Sequence, residues 1–352
     1  MENMKWSFAD SHMRIEEGGW ARETTVRELP TSTELAGVNM RLESGVYREL
    51  HWHNESEWAY MLKGECRITV LDTEGGSFID DLSEGDLWYF PKGFPHSIQG
   101  LGKDGCEFLL IFDDGNFSED ETFLLTDWFA HIPQGVLATN FAIPEDVFKT
   151  LSTREKYIFR GSVPGSLDQD KRKVNPSKHR FTHRMLAQEP IRFPGGEVRI
   201  ADTTNFPISA TTAAAHVTIK PRGLRELHWH PNASEWSYFI RGKARVNMFG
   251  ANGHSRTFNY QAGDVGIVPT NFGHFVENIG DEPLEFLEVF RAPRFEDFSL
   301  DQWLAQTPPT MVAEHLNLTD SRREAFFKSL SKEKVPVKPT RRNSMSNIRS
   351  KI

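Results

Sequence analysis

Arg48-Glu-Leu-His-Trp-His53 recurs as Arg225-Glu-Leu-His-Trp-His230, 177 residues further along the chain, and each copy is followed four or five positions later by a glutamate, Glu57 or Glu235. In an extended strand successive side chains alternate between faces, so His51 and His53 share a face from which Trp52 is excluded. Two imidazoles then converge on one point. Glu57 supplies a third donor after a short turn, and His96, at the end of Pro91-Lys-Gly-Phe-Pro-His96, supplies a fourth. The second copy repeats the set with His228, His230, Glu235 and His274, the last in Pro269-Thr-Asn-Phe-Gly-His274. Three imidazoles with one carboxylate form a mixed nitrogen and oxygen set suited to Mn, Fe, Co, Ni or Zn, and donor softness alone does not select among them. The pattern therefore predicts a duplicated metal site.

The 177-residue offset divides the 352 residues nearly in half, which predicts two similar domains. With 38% hydrophobic and 12% aromatic residues there is enough apolar side chain for two cores. A net charge of −8 argues against a nucleic-acid partner, because phosphate binding draws on concentrated Lys and Arg. Basic residues gather only after Lys332, and residues 336–352 read as a solvated, disordered tail. Cys66 and Cys106 are too few for a disulfide framework and read as buried thiols. The N-terminus lacks the apolar stretch of a secretory signal, and no apolar run approaches the roughly 20 residues of a membrane span, so the chain as given reads as cytoplasmic with no membrane partner.

Between residues 25 and 113, short alternating segments rich in β-branched and aromatic residues are separated by Gly, Asp and Pro: residues 59–62, 66–71, 87–90 and 107–112. The second half repeats this texture over residues 213–290, with strands predicted at 244–249, 266–269 and 284–290. Both halves then change to helical periodicity, at residues 126–130 and 300–305. The fold class is all-β with added helices. Residues 164–190 show no sustained period and read as a linker, giving domains at 1–185 and 186–335. Residues 20–42 could pair with either half, since their counterpart at the same offset, residues 197–219, lies close to that linker.

These residues also resemble a known family. Gly45, His51-x-His53, Glu57 and Gly64 match the first motif of the cupins, and Gly85, Pro91-x-Gly93 and His96 match the second. Gly242, Gly263, Pro269, His274 and Asn278 correspond in the other half. Over residues 4–335 the chain resembles the bicupins, and among them the bacterial oxalate decarboxylases. The resemblance implies two tandem double-stranded β-helix (jelly-roll) barrels. Three turn positions depart from the pattern: Gly100 stands where Asn is usual, Asn271 replaces a Gly, and Arg222 occupies the place of a glycine that follows as Gly223.

What the family implies about the site goes further than spacing does. It implies Mn(II), two ions per chain, with dioxygen as co-catalyst and oxalate as substrate, in a homo-oligomer of trimers stacked in pairs. Residues 113–122 form a longer connection than their counterpart: Phe112 to Trp128 is 16 residues, Phe290 to Trp303 only 13. A polar, acidic stretch after a barrel strand suits a mobile lid. In the family a Ser-Glu pair here carries the proton donor, which implies that Ser118-Glu119 does so, with Glu119 as proton shuttle. Asp120 and Glu121 then replace the usual Asn-Ser, and three adjacent carboxylates are expected to repel and raise one or more pKa values. Arg48, three residues before His51, falls on the wrong face under strict alternation and needs a bulge to reach the metal side. The resemblance implies that Arg48 binds the substrate carboxylate, with Arg225 its counterpart, and that Tyr157 and Glu288 are supporting residues or alternative acids. Oxalate has no adjacent carbonyl sink, so the implied route is redox-neutral and radical: an electron and a proton leave, carbon dioxide departs, and both are returned to give formate. Oxalate oxidation to peroxide, a cupin dioxygenase and a non-enzymatic storage or coat bicupin are the competing readings.

Overall fold

The computed structural model describes residues 1–339, which form two compact units. One comprises Asp10–Ala187 with Asn205–Thr211; the other comprises Met1–Ala9, Gln188–Thr204 and the chain from Thr212 onward.

In the first unit, antiparallel strands build a single connected 12-stranded sheet curled into a barrel. It stays connected because Glu57–Leu71 is one continuous 15-residue strand where two short strands were expected; its first part pairs with Cys106–Phe112 and Asp86–Phe90, its second with His96–Gly100 and Ser77–Ser83. Alternation sends Ala59, Met61, Ile68 and Val70 inward, where they meet Trp88, Phe90, Phe108 and Phe112 in one core. Burying such aromatic side chains contributes roughly 3–5 kcal/mol each against truncation to Ala. Helix Leu125–Ala130 follows the barrel, as the periodicity predicted.

The second unit repeats the plan as sheets of seven and six strands. Its counterpart of the long strand is divided at Gly242, φ 90°, into Glu235–Arg241 and Lys243–Phe249. Strand Leu284–Phe290 lies between Ala213–Ile219 and Glu235–Arg241, and helix Leu300–Ala305 closes the unit. The unusual turn residues Arg222 (φ 62°) and Asn271 (φ 68°) both adopt the left-handed conformation in which glycine is normally favoured.

One open alternative is decided and three expectations change. Residues 20–42 remain with their own barrel, Gly19–Thr24 pairing with Ala36–Leu42; it is Lys5–Ser7 that joins the other unit, against Asp264–Val268, with Phe8 buried on Tyr238. The expected division at 185 and 186 therefore misses the first nine residues. Residues 164–190 are not a loose linker: Leu167–Lys171 is helical, and Thr182–Arg184 pairs with Asp86–Phe90 beside the buried Phe181. The tail expected from residue 336 begins as a strand, Val337–Pro339 on Gly223–Arg225, while residues 340–352 lie outside the described residues. Cys66 and Cys106 are buried free thiols. Among the described residues, no helix is long and apolar enough to cross a membrane.

Candidate metal centres

The first centre is set by register. Strand Val46–Trp52 pairs with His96–Gly100, which places His51 directly across from His96. Glu57 opens the next strand opposite Phe90 and Phe112, and the His53 carbonyl accepts the Gly93 N–H at 2.9 Å, fixing the turn that carries His96. All four side chains are buried, and their donor atoms lie within 4.8 Å of one another. Glu57 Oε2 is 3.3 Å from His53 Nε2 and 3.4 Å from His96 Nε2. The second centre repeats this: His228 faces His274 across strands, and Glu235 Oε2 is 3.2 Å from His230 Nε2 and 3.0 Å from His274 Nε2.

The nitrogen not used for the centre is committed in every case. His51 Nδ1 donates to the Glu49 carbonyl at 2.7 Å, His53 Nδ1 to Glu55 at 2.6 Å and His96 Nδ1 to Phe94 at 2.8 Å. In the second centre the acceptors are the carbonyls of Glu226, Glu296 and Phe272. Each Nδ1 therefore carries the proton, and each Nε2 presents a lone pair inward. Nε2 of His96, His228 and His230 is buried without a hydrogen-bond partner. Such atoms are costly unless a cation meets them. Burial, then the charge of Arg48 and the neighbouring rings, keeps His51 neutral; His228 is held likewise by burial, Arg225 and its neighbours. Four donors, one anionic and three neutral, thus fit a single divalent ion at each centre. Trp88 Nε1 donates to Glu57 Oε1 at 2.7 Å, and Ser237 Oγ orients Glu235 at 2.5 Å.

Arg48 does reach the inner face. The pairing of Val46–Trp52 with His96–Gly100 shifts register between Arg48 and His51, so Arg48, Glu49 and His51 are all buried while Leu50 points out. The same shift lies between Arg225 and His228. Its anchor is Glu49, a residue that strand reading passes over although the hexapeptide repeats it as Glu226. Glu49 accepts from the backbone N–H groups of Thr126, Lys156 and Tyr157, and its own N–H donates to the Tyr157 carbonyl. Tyr157 is thereby held at φ 53°, with Arg48 stacked 4.2 Å from its ring centroid and Arg14 at 3.6 Å. Burial and the Glu119 carboxylate push the Tyr157 phenol well above its usual range, which keeps it protonated.

Glu119 lies in a short 3-10 turn, Glu119–Glu121, and is buried although its neighbours Asp120 and Glu121 are exposed. Its Oε2 accepts from Arg48 Nη2 at 2.9 Å. Phe117 stacks on Phe112 and contacts the His53 ring, closing that side. Of the three adjacent carboxylates only Glu119 turns inward, and across the segment from it burial and Glu119 raise Glu23 to about 7.

In the second centre Asp297 takes the place of Glu119, donating nothing and accepting from Arg225 Nη2 at 2.9 Å. Lys334 Nζ clamps it from the other side at 2.6 Å. Although burial opposes ionisation, Arg225 and Lys334 bring the Asp297 carboxyl down to about 2. Glu288 is fully buried, 3.2 Å from Arg225 Nε, and burial raises it. Arg48 Nη1 and Arg225 Nη1 are both buried without a partner.

Known proteins share this plan. The cupin family matches residues 8–147 and 183–324. The chain is 57% identical over 339 residues to oxalate decarboxylase OxdC of Bacillus subtilis, covering 96% of this chain and 87% of that one. It is 41% identical over 320 residues to a probable oxalate decarboxylase of Arthroderma benhamiae, covering 90% and 79%. A solved structure of the B. subtilis enzyme, from work on its Mn(II) centres, superposes with a TM-score of 0.93 at 56% identity over 97% of this chain and 90% of that one. Two barrels with matching ligand sets, and this degree of identity across nearly the whole chain, make the protein a member of the oxalate decarboxylase family of bicupins.

Proposed function

We propose that the protein is a manganese- and dioxygen-dependent oxalate decarboxylase, a carbon-carbon lyase converting oxalate to formate and carbon dioxide, with chemistry at the first centre. The observation that carries this is the Arg48–Glu119 pair: a buried guanidinium with one nitrogen on a carboxylate and another, Nη1, without a partner. His51, His53, Glu57 and His96 would hold one Mn(II) and His228, His230, Glu235 and His274 a second; with dioxygen, bound manganese supplies the one-electron chemistry that a substrate lacking a carbonyl sink requires.

The remaining work falls to this chain's own side chains. Arg48 binds one oxalate carboxylate through Nη1, a charge-assisted contact that fixes the carbon-carbon bond near the first centre. Glu119 takes the proton of hydrogen oxalate; carbon dioxide leaves, and Glu119 returns the proton to the carbon left behind, giving formate. Atoms and electrons balance, since hydrogen oxalate becomes carbon dioxide plus formate. Phe117 and the closed Glu119–Glu121 turn exclude water that would otherwise intercept the intermediate. Tyr157 and Glu49 hold Arg48 in place. In the second centre Asp297, clamped by Arg225 and Lys334, is too acidic to carry a proton at ordinary pH, so Arg225 and Glu288 serve that centre's structure.

The active form is a homo-oligomer. Leu50, Phe123 and Trp128 on one unit, and Leu227, Phe298 and Trp303 on the other, each expose between 44% and 56% of their surface. Apolar patches of this kind are covered in an assembled protein. Formate and peroxide measured together on manganese-loaded protein test the activity: formate in large excess supports decarboxylation, and peroxide without formate would replace it by oxidation.

A further inference from the structure

Glu23 ends up beside the lid through folding alone, 96 residues from Glu119 in sequence. It lies on strand Gly19–Thr24, and its Oε1 accepts the backbone N–H of Glu119 at 3.2 Å. A cavity of about 430 Å3 opens here, walled by Glu23, Ser118, Glu119, Asp120, Arg14 and Tyr157. Its polar walls give Glu23, which is only partly buried, a route for exchanging its proton with solvent. Other charged groups face the same cavity. His12 and Arg14 come from the preceding hairpin, Arg22 from the strand of Glu23 itself, and Arg27 and Glu28 from the turn after it. Arg14 is already engaged by Glu16 and Glu155, and Glu28 by Thr25. Arg27 reaches Glu23 at 2.7 Å but is half exposed, so it stabilises the carboxylate only weakly.

We propose that Glu23 is a proton-linked latch for the segment carrying Glu119. Protonated, it still accepts the Glu119 N–H through a carboxyl oxygen and presents no charge to Glu119 or Asp120; ionised, it accepts that N–H more strongly, but its burial and the repulsion from both carboxylates outweigh the bond and favour opening. Glu23 is a positioning residue, acting through Glu119, and its role rests on the assignment of Glu119 as proton shuttle.

The direction of the pH dependence follows from where Glu23 sits. In the closed structure burial and Glu119 raise its carboxyl from the ordinary 4.5 to about 7. Opening rehydrates it and removes Glu119 and Asp120, returning it toward the ordinary value. The closed form therefore binds the proton more tightly. Its advantage is present in full below about pH 4.5 and is lost as pH rises through about 7.

Amide hydrogen exchange of residues 117–124 in the full, manganese-loaded chain, corrected for intrinsic rates, reads this directly. The wild-type closing constant should fall at least tenfold between pH 4.5 and 7, while in Glu23→Gln, which keeps an acceptor oxygen but cannot ionise, it should change less than threefold. Glu23→Ala, lacking the acceptor, should lose roughly fivefold protection at pH 4.5, the size of one hydrogen bond. Unchanged metal content and Tm establish that the variants are folded. A wild-type segment with no pH dependence in this window, or an E23Q profile that superposes on the wild type, overturns the latch. The exchange result does not depend on turnover: wild-type protein that makes no formate would remove the decarboxylase reading while leaving the latch measurable.

Discussion

Arg48 shows how much a single side chain depends on its backbone. Alternation assigns it to the face of Trp52, and the register shift between Arg48 and His51 moves it to the face of the metal ligands. Its planar fork holds Glu119 with one nitrogen and leaves another for substrate, so Arg48→Lys keeps the charge but cannot do both. We expect kcat/KM for oxalate to fall at least tenfold in this variant with metal content unchanged; parameters equal to wild type would remove Arg48 from the substrate site. Glu57→Ala should lose the ion of the first centre and keep that of the second, which metal analysis per chain would show as a drop from two to one; a full complement would refute the ligand assignment. The two clusters of three histidines and a glutamate were legible in the sequence because strand alternation and a duplicated spacing are local properties. Glu23, Glu49 and Asp297 were not, since each acquires its role from partners dozens of residues away, and no short-range period marks that. Only the exact repetition of Glu49 as Glu226 within the hexapeptide offered a signal.

Among the elements, the loops after the last barrel strand distinguish the two halves. The first half uses its three extra residues to form a 3-10 turn that carries Glu119 inward, where Arg48 meets it. Among its described residues the second half has no such turn, and it brings Asp297 to the equivalent arginine, with Lys334 from the chain's last described segment locking it. Because the folded Asp297 carboxyl lies near 2, below its ordinary 3.8, its interactions stabilise the protein above about pH 4 and are lost as pH falls toward 2. Lys334→Met should therefore lower Tm at pH 6 by about 2 °C, with the difference from wild type shrinking between pH 4 and 2; a difference that stays constant with pH would mean that Lys334 stabilises by some other contact. The length difference of this loop was readable from the sequence, and so were the strands and the helix that follow it. The strand Val337–Pro339 was not: a short, charged, proline-containing stretch has little strand propensity of its own, and it is the edge of Gly223–Trp229 that templates it.

At the scale of the whole molecule, duplication yields two barrels with matching clusters of three histidines and a glutamate, and the loop after the last strand of the first brings a further glutamate, Glu119, onto its arginine. The apolar faces around Trp128 and Trp303 also belong to this scale, and they predict that light scattering will find a multiple of the 40.3 kDa chain mass; a species of single-chain mass would refute the assembly. The division of labour between the barrels is the central claim, and it is tested by assaying wild-type protein and Glu119→Gln side by side, at equal manganese content, for formate and hydrogen peroxide from oxalate in air at about pH 4.5. Wild type should yield formate in large excess, and E119Q should lose at least a hundredfold of that rate, the usual contribution of a positioned proton donor. Formate production by E119Q at the wild-type rate would contradict it and return the proton-donor role to another carboxyl, with Glu288 first in line.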